Sequence, residues 1–258
     1  MATDTSAPQV GMMLYGVVPS DVEPTGSARG VGDPPGDVTT VTEKDLTALV
    51  SEVPLDRPLG RPNDLTAYQR LLDGTAAVAP VLPVRFGTVL RDPDAVRQLL
   101  ADQHDTIAPL LKRLEGRVEY VVRGRYAEDA VLGEILDADP YARRLREDIH
   151  ERAEEETTQQ RMALGERING AIEAMRQADT QTTVNRLGRV VEDLVVAEPT
   201  HELDAVHVPV LVEQDRRSEF DAVLAELADE WDGRVELRRL GPAAPYDFVT
   251  RLAADRDT

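Results

Sequence analysis

Four histidines, five serines and 48 acidic residues are the side chains of this 258-residue chain that could carry out chemistry, and there is no cysteine. The lack of cysteine excludes thiolate catalysis, disulfide bonds and cysteine-bound metals. The serines lie in polar or turn-rich segments, and none occurs in the Gly-x-Ser-x-Gly motif of a serine nucleophile. No His-Glu-x-x-His, Walker or EF-hand spacing is present either. The sequence therefore predicts no catalytic residue and a protein that is not an enzyme.

The most closely spaced histidines, His201 and His207, are separated by six positions. That spacing suits neither one face of a helix nor one face of a strand with an intervening turn, so the two imidazoles are poor candidates for a shared metal. The acidic runs at 154–156 and 229–230 are typical of solvated helix faces. We therefore expect no metal site.

One glycine-rich segment, residues 30–36, superficially resembles a phosphate-binding loop because its sequence is Gly-Val-Gly-Asp-Pro-Pro-Gly. A dinucleotide-binding fingerprint needs a helix to begin at these glycines, and the consecutive Pro34 and Pro35 prevent it. We interpret residues 20–37 as a plain loop and expect no cofactor.

The formal net charge of −19 restricts the partners of the chain. Such a charge repels nucleic-acid phosphates and anionic membrane surfaces, so neither nucleic acid nor a lipid membrane is expected as a partner. The longest mostly apolar run, Ala76–Val84, contains two prolines and is far shorter than a membrane helix. The first twenty residues do not form a secretory signal. We therefore expect a soluble cytoplasmic protein, long enough for one large or two ordinary domains.

In the first half of the chain, apolar runs bounded by proline or turn residues predict strands at Gly11–Val18 and Val38–Val41. Residues 80–90 predict an edge strand or the entrance to a strand, since neither of its two prolines can donate to a sheet. Helical spacing predicts three helices: one capped by Thr42 with its apolar face at residues 46–50, one at 65–72, and one from Asp92 to about Leu114.

In the second half, a strand is predicted at residues 116–123. Pro140 then begins a long helix to about Gln177, and a second helix at 184–195 completes an antiparallel hairpin. The middle of the long helix, Glu154–Arg161, is entirely polar, which indicates solvent or a partner on every side. The last third predicts a strand, a helix and a strand at 206–212, 218–231 and 234–240.

Four segments together resemble the F/L family of gas-vesicle accessory proteins, in the same order and across nearly the whole chain. The pairing of Pro-Val-Arg-Phe-Gly with a C-terminal Gly-Pro-x-x-Pro-Tyr-x-Phe is the most specific part of the resemblance. The family usually has Trp and Pro where this chain has Ala243 and Ala244, so an aromatic contact at that point is not expected here. The segments are Leu14-Tyr-Gly-Val-Val-Pro19, Val81-Leu-Pro-Val-Arg-Phe-Gly-Thr88, Leu114-Glu-Gly-Arg-Val-Glu119 and Leu240-Gly-Pro-Ala-Ala-Pro-Tyr-Asp-Phe248.

The resemblance implies an α+β fold with two domains. We place an N-terminal α+β domain at residues 1–116 and a C-terminal α+β domain at residues 117–258. The C-terminal domain is expected to be ferredoxin-like in a modified form, with a long helical hairpin at residues 140–196. The predicted order of strands and helices in this half of the chain agrees with that expectation.

Nine residues match the family pattern and are the candidate site residues, which we interpret as fold determinants. Gly87 would permit a bend, Phe86 and Phe248 would fill core, and the C-terminal prolines would keep the last segment extended. Arg85 would need a carboxylate or carbonyl partner if it were buried. The nine are Pro83, Arg85, Phe86, Gly87, Gly241, Pro242, Pro245, Tyr246 and Phe248.

The resemblance also implies a role in the assembly of gas vesicles, the gas-filled protein shells that give microbes buoyancy. We expect a non-enzymatic, chaperone-like accessory protein that is associated with gas vesicles and binds the hydrophobic shell subunit during nucleation, alongside other accessory proteins. A strongly acidic partner would keep the apolar subunit dispersed before it polymerises. The alternative is a minor structural component of the shell, and a pocket with converging carboxylates would reopen the possibility of an enzyme. The candidate binding faces are the polar middle of the hairpin, Glu154–Arg161, and the exposed edge of either sheet, for which Val81–Leu90 is the segment to test.

Overall fold

The computed structural model of the chain describes residues 10–22, 29–56, 59–153 and 156–249. These residues form two compact units. The first comprises the described residues up to Glu119 together with those from Gly241 onward, and the second comprises Tyr120–Leu240. The fold mixes helices with two antiparallel sheets, which confirms the predicted α+β class.

The first unit is built on a sheet with one long central strand. This strand, β1, pairs antiparallel with β3 on one side and with the short strands β4 and β5 on the other, while β2 lies outside β3. Met13, Leu14 and Tyr15 of β1 are fully buried, as expected for the centre of a sheet. The predicted strands at 11–18 and 38–41 are thereby confirmed. The strands are β1 (Val10–Pro19), β2 (Thr39–Glu43), β3 (Leu46–Pro54), β4 (Leu82–Pro83) and β5 (Val89–Leu90).

The helix predicted after Thr42 is wrong, because the chain forms a β-hairpin there. Lys44 adopts the left-handed conformation with a φ of 54°, and the turn lets Thr42 pair with Thr47. Every residue from Leu46 to Ser51 is buried, so both faces of β3 are covered. A strand that is buried on both faces carries a continuous apolar run, and such a run also contains the spacing of a helical face.

The prediction of an edge strand within residues 80–90 is confirmed, but the paired segments are shorter than predicted. Only the two residues of β4 and the two of β5 pair with β1, and β4 lies at the end of the sheet. Pro83 has no N–H to extend the ladder. Gly87 turns the intervening loop with a φ of +85°, a left-handed conformation that favours glycine.

Three helices complete the first unit: α1 (Pro62–Ala76), α2 (Pro93–Asp102) and α3 (His104–Leu114). The helix predicted at 65–72 is confirmed as part of α1. The single helix predicted from Asp92 is wrong, since the backbone leaves the helical conformation at Gln103. None of residues 101–106 is buried, so the core does not enforce a straight helix there. Pro109 also lacks the N–H that would stabilise the first turns of α3.

The second sheet has the strand order β7-β8-β6-β9. Helices α4 to α6 lie between β6 and β7 in the chain, and α7 lies between β8 and β9. Tyr120 of β6 stacks on Phe220 of α7, with 5.6 Å between ring centroids. The predicted strand, helix and strand of the last third are confirmed. The elements are β6 (Arg117–Tyr126), α4 (Glu128–Ala138), α5 (Pro140–Glu151), α6 (Thr158–Leu187), β7 (Asp193–Leu194), β8 (Asp204–Glu213), α7 (Arg217–Glu230) and β9 (Val235–Ala243).

A helical hairpin is present, but its turn is not where the sequence predicted it. The long predicted helix is interrupted between α5 and α6, within the polar middle, of which residues 154–155 lie outside the described residues. The hairpin is therefore made by α5 and the start of α6, and Arg167 binds Asp139 across it at 2.6 Å. The separate helix predicted at 184–195 is wrong: α6 runs to Leu187, and the residues after Gly188 lead into β7.

The bounds of the compact units are not those of the predicted domains, and the domain division itself stays a prediction. The predicted boundary followed residue 116, whereas the first unit continues to Glu119. Residues from Gly241 onward group with the first unit rather than the second. The physical reason is burial: Ala244 is fully buried in the same apolar cluster as Met13 and Tyr15.

Candidate functional site

All nine candidate residues lie at or beside the first unit's sheet edge and C-terminal segment. Pro83 ends β4, and residues 85–87 form the loop that leads to β5. Gly241 and Pro242 lie near the end of β9, and residues 245–248 form the turn that follows. The structure brings Pro83, Arg85, Phe86 and Tyr246 together around one groove.

A cluster of aromatic rings forms the inner wall of this groove. Tyr68 of α1 is at its centre and is only 3% exposed. Its ring centroid lies 5.8 Å from that of Tyr15, 5.3 Å from that of Phe86 and 6.3 Å from that of Tyr246. The chain has only ten aromatic residues, so four of them meet here. Sequence reasoning missed Tyr68, because its helical spacing alone does not distinguish it from other core residues.

Hydrogen bonds fix the aromatic cluster to the sheet edge. The Tyr68 hydroxyl donates to the carbonyl of Val84, and the Val84 N–H donates to the carbonyl of Tyr15 at 2.9 Å. Burial raises the pKa of Tyr68 to about 12, and burial also raises the pKa of Tyr246. Both phenols are therefore neutral at physiological pH.

The groove has a volume of about 550 Å³. Helix α1 contributes Leu65, Tyr68 and Gln69, residues 83–86 form the opposite side, and Tyr246 and Val249 complete the lining. Leu65 is 44% exposed, so its apolar side chain is available to a partner. Among the described residues that line the groove, only Arg85 carries a charge at neutral pH.

Two carboxyl groups hold the C-terminal turn in place beside the groove. Asp73 of α1 accepts the N–H of Ala244 at 2.9 Å, and Glu119 of β6 accepts the N–H of Asp247 at 3.3 Å. Glu119 is 2% exposed. Burial, reinforced by the nearby charge of Asp247, raises the pKa of Glu119 to about 9. The turn is therefore anchored through a carboxyl group that is protonated at neutral pH, and it positions Tyr246 beside Tyr68.

The four segments that carry the family resemblance thus converge within the first unit. The first and second meet where Gly16 pairs with Pro83 and where Leu14 donates to the carbonyl of Thr88 at 2.9 Å. The third and fourth meet at Glu119 and Asp247. Because these segments are far apart in the sequence, their order alone could not show which of them contact one another.

The glycine-rich segment is confirmed as a plain loop over its described part, residues 29–37. The rest of the predicted loop includes residues 23–28, which lie outside the described residues. The Val31 N–H donates to the Tyr15 hydroxyl at 2.8 Å, and the Gly32 N–H donates to Asp64 at 3.0 Å. These N–H groups are used inside the protein and are not directed at a bound phosphate.

The two histidines weighed as metal ligands have protein partners instead. The ring of His207 contacts the carbonyl of Glu198 at 2.9 Å and Arg123 at 3.1 Å, and His201 accepts the N–H of Leu203 at 3.1 Å. Within the described part of the chain, no group of three or more histidine or acidic side chains is arranged to hold a metal ion.

A smaller cavity of about 250 Å³ in the second unit is lined by three arginines, but each already has a partner. Arg125 binds Asp204 at 3.4 Å, and Arg238 binds Glu236 at 2.5 Å. Arg123 contacts His207. The aromatic groove of the first unit is therefore the stronger candidate site.

Comparison with known proteins identifies the chain. The family described as "Gas vesicle synthesis protein GvpL/GvpF" matches residues 11–250. The chain belongs to the GvpL/GvpF family of gas vesicle synthesis proteins. This confirms the resemblance recognised in the sequence.

Relatives within the GvpL/GvpF family include both F and L proteins. Gas vesicle protein F of Streptomyces sp. (strain CB03234) is 35% identical over 223 residues, which cover 85% of this chain and 91% of the relative. Gas vesicle protein L of the same organism is 30% identical over 239 residues, which cover 86% of each chain. Membership of the family gives the chain a gas vesicle accessory role.

Crystal structures of GvpF proteins share the fold. GvpF from Anabaena sp. PCC7120 superposes with a TM-score of 0.74 at 22% identity, over 93% of this chain and 96% of that one. GvpF from Microcystis aeruginosa gives a TM-score of 0.72 at 18% identity, over 93% of this chain and 98% of that one. Among the described residues of the present chain, no helix has the length and apolar character needed to cross a membrane.

Proposed function

We propose that this GvpL/GvpF protein is a non-enzymatic, chaperone-like assembly factor that binds the hydrophobic gas vesicle shell subunit in the aromatic groove of its first unit. It would act in the cytoplasm during nucleation, in association with the gas vesicle and its other accessory proteins. The observation that carries the proposal is that the second and fourth family segments line one groove whose wall is aromatic and apolar. The first segment packs behind this wall through Tyr15, and the third holds the fourth in place through Glu119.

The physical chemistry of the groove supports apolar binding. Its volume of about 550 Å³ falls in the range of ligand pockets, about 300–1,000 Å³, and accommodates a few apolar side chains of a partner. An amphipathic helix commonly binds such a groove through side chains spaced along one face. The net charge of −19 would keep a complex with an aggregation-prone subunit dispersed.

The same lining supports a binding function rather than catalysis. Its described residues offer an arginine, two neutral phenols and the amide of Gln69, but no carboxylate or imidazole that could act as a general base near neutral pH. Glu119 is buried and bound to the C-terminal turn.

We further propose that the two units are separate domains and that the second is ferredoxin-like in a modified form. Its strands follow the order β9-β6-β8-β7, with helices in the β6–β7 and β8–β9 connections. This is the β-α-β-β-α-β pattern of that fold, extended by the α5–α6 hairpin. The candidate residues would then be fold determinants of the first domain that also shape the groove.

Co-expression with the shell subunit tests the proposed function. We expect the wild-type chain to raise the soluble fraction of the shell subunit and the yield of vesicles. Leu65→Glu places a charge in the groove on a side chain that is already 44% exposed, so it should abolish the effect without unfolding the protein. Val78→Glu is the matched control, because Val78 is 82% exposed and does not line the groove.

Two outcomes would contradict the proposal. If the wild-type chain left the solubility of the shell subunit unchanged, shell binding would be wrong. If Leu65→Glu behaved like Val78→Glu, the groove would not be the binding site. Recovery of the chain at a fixed ratio from stripped mature vesicles would instead favour the alternative, a minor structural component of the shell.

A further inference from the structure

We infer that the groove selects an apolar partner segment that carries a carboxylate, and that Arg85 is the residue that recognises it. The inference rests on the proposed function, because it names the chemistry of the segment that the groove would hold. Arg85 is exposed at the groove and makes no hydrogen bond or ion pair with another described side chain.

Arg85 has no described side-chain partner, although the chain is rich in carboxylates that could pair with it. Acidic residues outnumber basic ones by 48 to 29 in this chain. Some other arginines of the first unit bind nearby carboxylates: Arg61 binds Asp33 at 3.3 Å, and Arg91 binds Asp92 at 3.1 Å. A carboxylate supplied by a binding partner would give Arg85 the ion pair that the described residues do not provide at the groove.

The local backbone holds Arg85 in this position. The carbonyl of Arg85 accepts the N–H of Thr88 at 3.2 Å and the hydroxyl of Thr88 at 2.7 Å. Gly87, with its φ of +85°, allows the tight turn between them. This closed turn restrains the backbone from which the guanidinium extends, beside the half-buried ring of Phe86.

The rest of the lining decides which kind of anion fits. Apart from Arg85, the lining residues that the structure describes are uncharged and largely apolar, so they would desolvate a polyanion without compensating its charge. The net charge of −19 also disfavours phosphate-rich partners. A single glutamate or aspartate within an apolar helix satisfies both conditions, since its apolar neighbours would cover the aromatic wall.

The probes for a direct test are three synthetic helical peptides of leucine and alanine that differ only in one central residue: Glu, Gln or Lys. Their affinities for the full chain would be measured by calorimetry at low and at high salt. We expect the wild type to prefer the Glu peptide over the Gln peptide by about two- to fivefold, as for a partly exposed ion pair. The preference should shrink at high salt because the charges are screened.

Substitutions of Arg85 test whether this residue causes the preference for the Glu peptide. Arg85→Gln should bind the Glu and Gln peptides equally, and Arg85→Glu should prefer the Lys peptide. Arg70→Gln is the matched control: Arg70 is also exposed and has no described side-chain partner, but it does not line the groove. It should retain the wild-type preference. Circular dichroism of each variant checks that the fold is unchanged.

Several results would overturn the inference. Equal affinity of the wild type for the Glu and Gln peptides would do so, as would a preference that persists in Arg85→Gln, or no binding of any peptide. An Arg85-dependent dimer in sedimentation velocity would show that the groove binds a second copy of the chain instead. If the wild type still solubilises the shell subunit in co-expression, the proposed function stands although the inference fails. If it does not, the proposed function fails independently of the peptide result.

Discussion

The carboxyl group of Glu119 links solution pH to the anchoring of the C-terminal turn. Burial raises its pKa from the ordinary 4.5 to about 9, so the group is protonated in the folded protein at neutral pH. In the unfolded chain the same group is ionised above its ordinary pKa. Folding therefore takes up a proton, and the stabilising contribution of Glu119 is complete below about pH 4.5 and is lost as the pH rises through about 9.

We predict that Glu119→Gln removes this pH dependence. Glutamine keeps the acceptor for the Asp247 N–H but cannot ionise. In urea unfolding between about pH 5 and pH 9, the wild type should lose stability relative to the variant by up to about 1.4 kcal/mol per pH unit. Glu115→Gln is the control, because Glu115 is an exposed neighbour. Parallel pH profiles for the wild type and Glu119→Gln would contradict the prediction.

Alanine substitution at two glycines of the first unit should change the free energy of unfolding in opposite directions. Gly87 has a φ of +85°, whereas Gly74 lies in α1, and an added Cβ would meet nothing within 4 Å at either position. Gly87→Ala should therefore destabilise by about 1–2 kcal/mol through backbone strain alone. Gly74→Ala should stabilise by about 0.5–1 kcal/mol, because alanine favours a helix. The free energy of unfolding in urea measures both, and destabilisation by both would show that side-chain space, not backbone conformation, matters.

Among the elements, the β2–β3 hairpin offers a test between two interpretations of residues 46–50, as a helix or as a strand. The apolar spacing at 46–50 predicts a helix, whereas the structure has a strand that follows a left-handed Lys44. Lys44→Gly should therefore stabilise the protein by about 0.5–1 kcal/mol, since glycine adopts a positive φ without strain. In a helix the same substitution would destabilise by about 1 kcal/mol. Thermal or urea unfolding measures whether Lys44→Gly raises or lowers the stability. Lys44→Ile, which strains the turn, should destabilise the protein.

Helices and strands were predictable from the sequence where the apolar residues followed a single periodicity, either that of a helix or that of a strand. β1, α1 and the strand, helix and strand from 206 to 240 have clear patterns and clear end signals, and the structure has them at those places. The wrong predictions fall into two groups. In β3 the apolar pattern is compatible with a helix and with a strand, and at the end of α6 tertiary contacts determine where the helix stops. The groove itself was only partly predictable: Arg85, Phe86 and Tyr246 lie in recognisable motifs. Their contact through Tyr68 depends on a fold that brings Asp73 to Ala244, 171 positions later in the chain.

For the whole molecule, the large negative charge and the buried carboxyl group respond to acid in opposite ways. Below neutral pH the ionised surface carboxylates become protonated, and the net charge of −19 falls toward zero near the isoelectric point of about 4.6. A low net charge promotes association, whereas protonated Glu119 keeps the C-terminal turn anchored. Acid should therefore reduce solubility while the Glu119 contribution to stability is retained.

We predict that acidification toward about pH 4.6, the isoelectric point of the chain, precipitates the protein while the first unit remains folded. Light scattering during a pH titration would report the precipitation, and tyrosine fluorescence would report the integrity of the aromatic cluster. Glu119→Gln should precipitate at the same pH as the wild type, because one buried neutral group adds nothing to the repulsion between molecules. If unfolding of the aromatic cluster preceded scattering, loss of structure rather than loss of charge would limit the protein in acid, and the dispersing role assigned to its charge would be wrong.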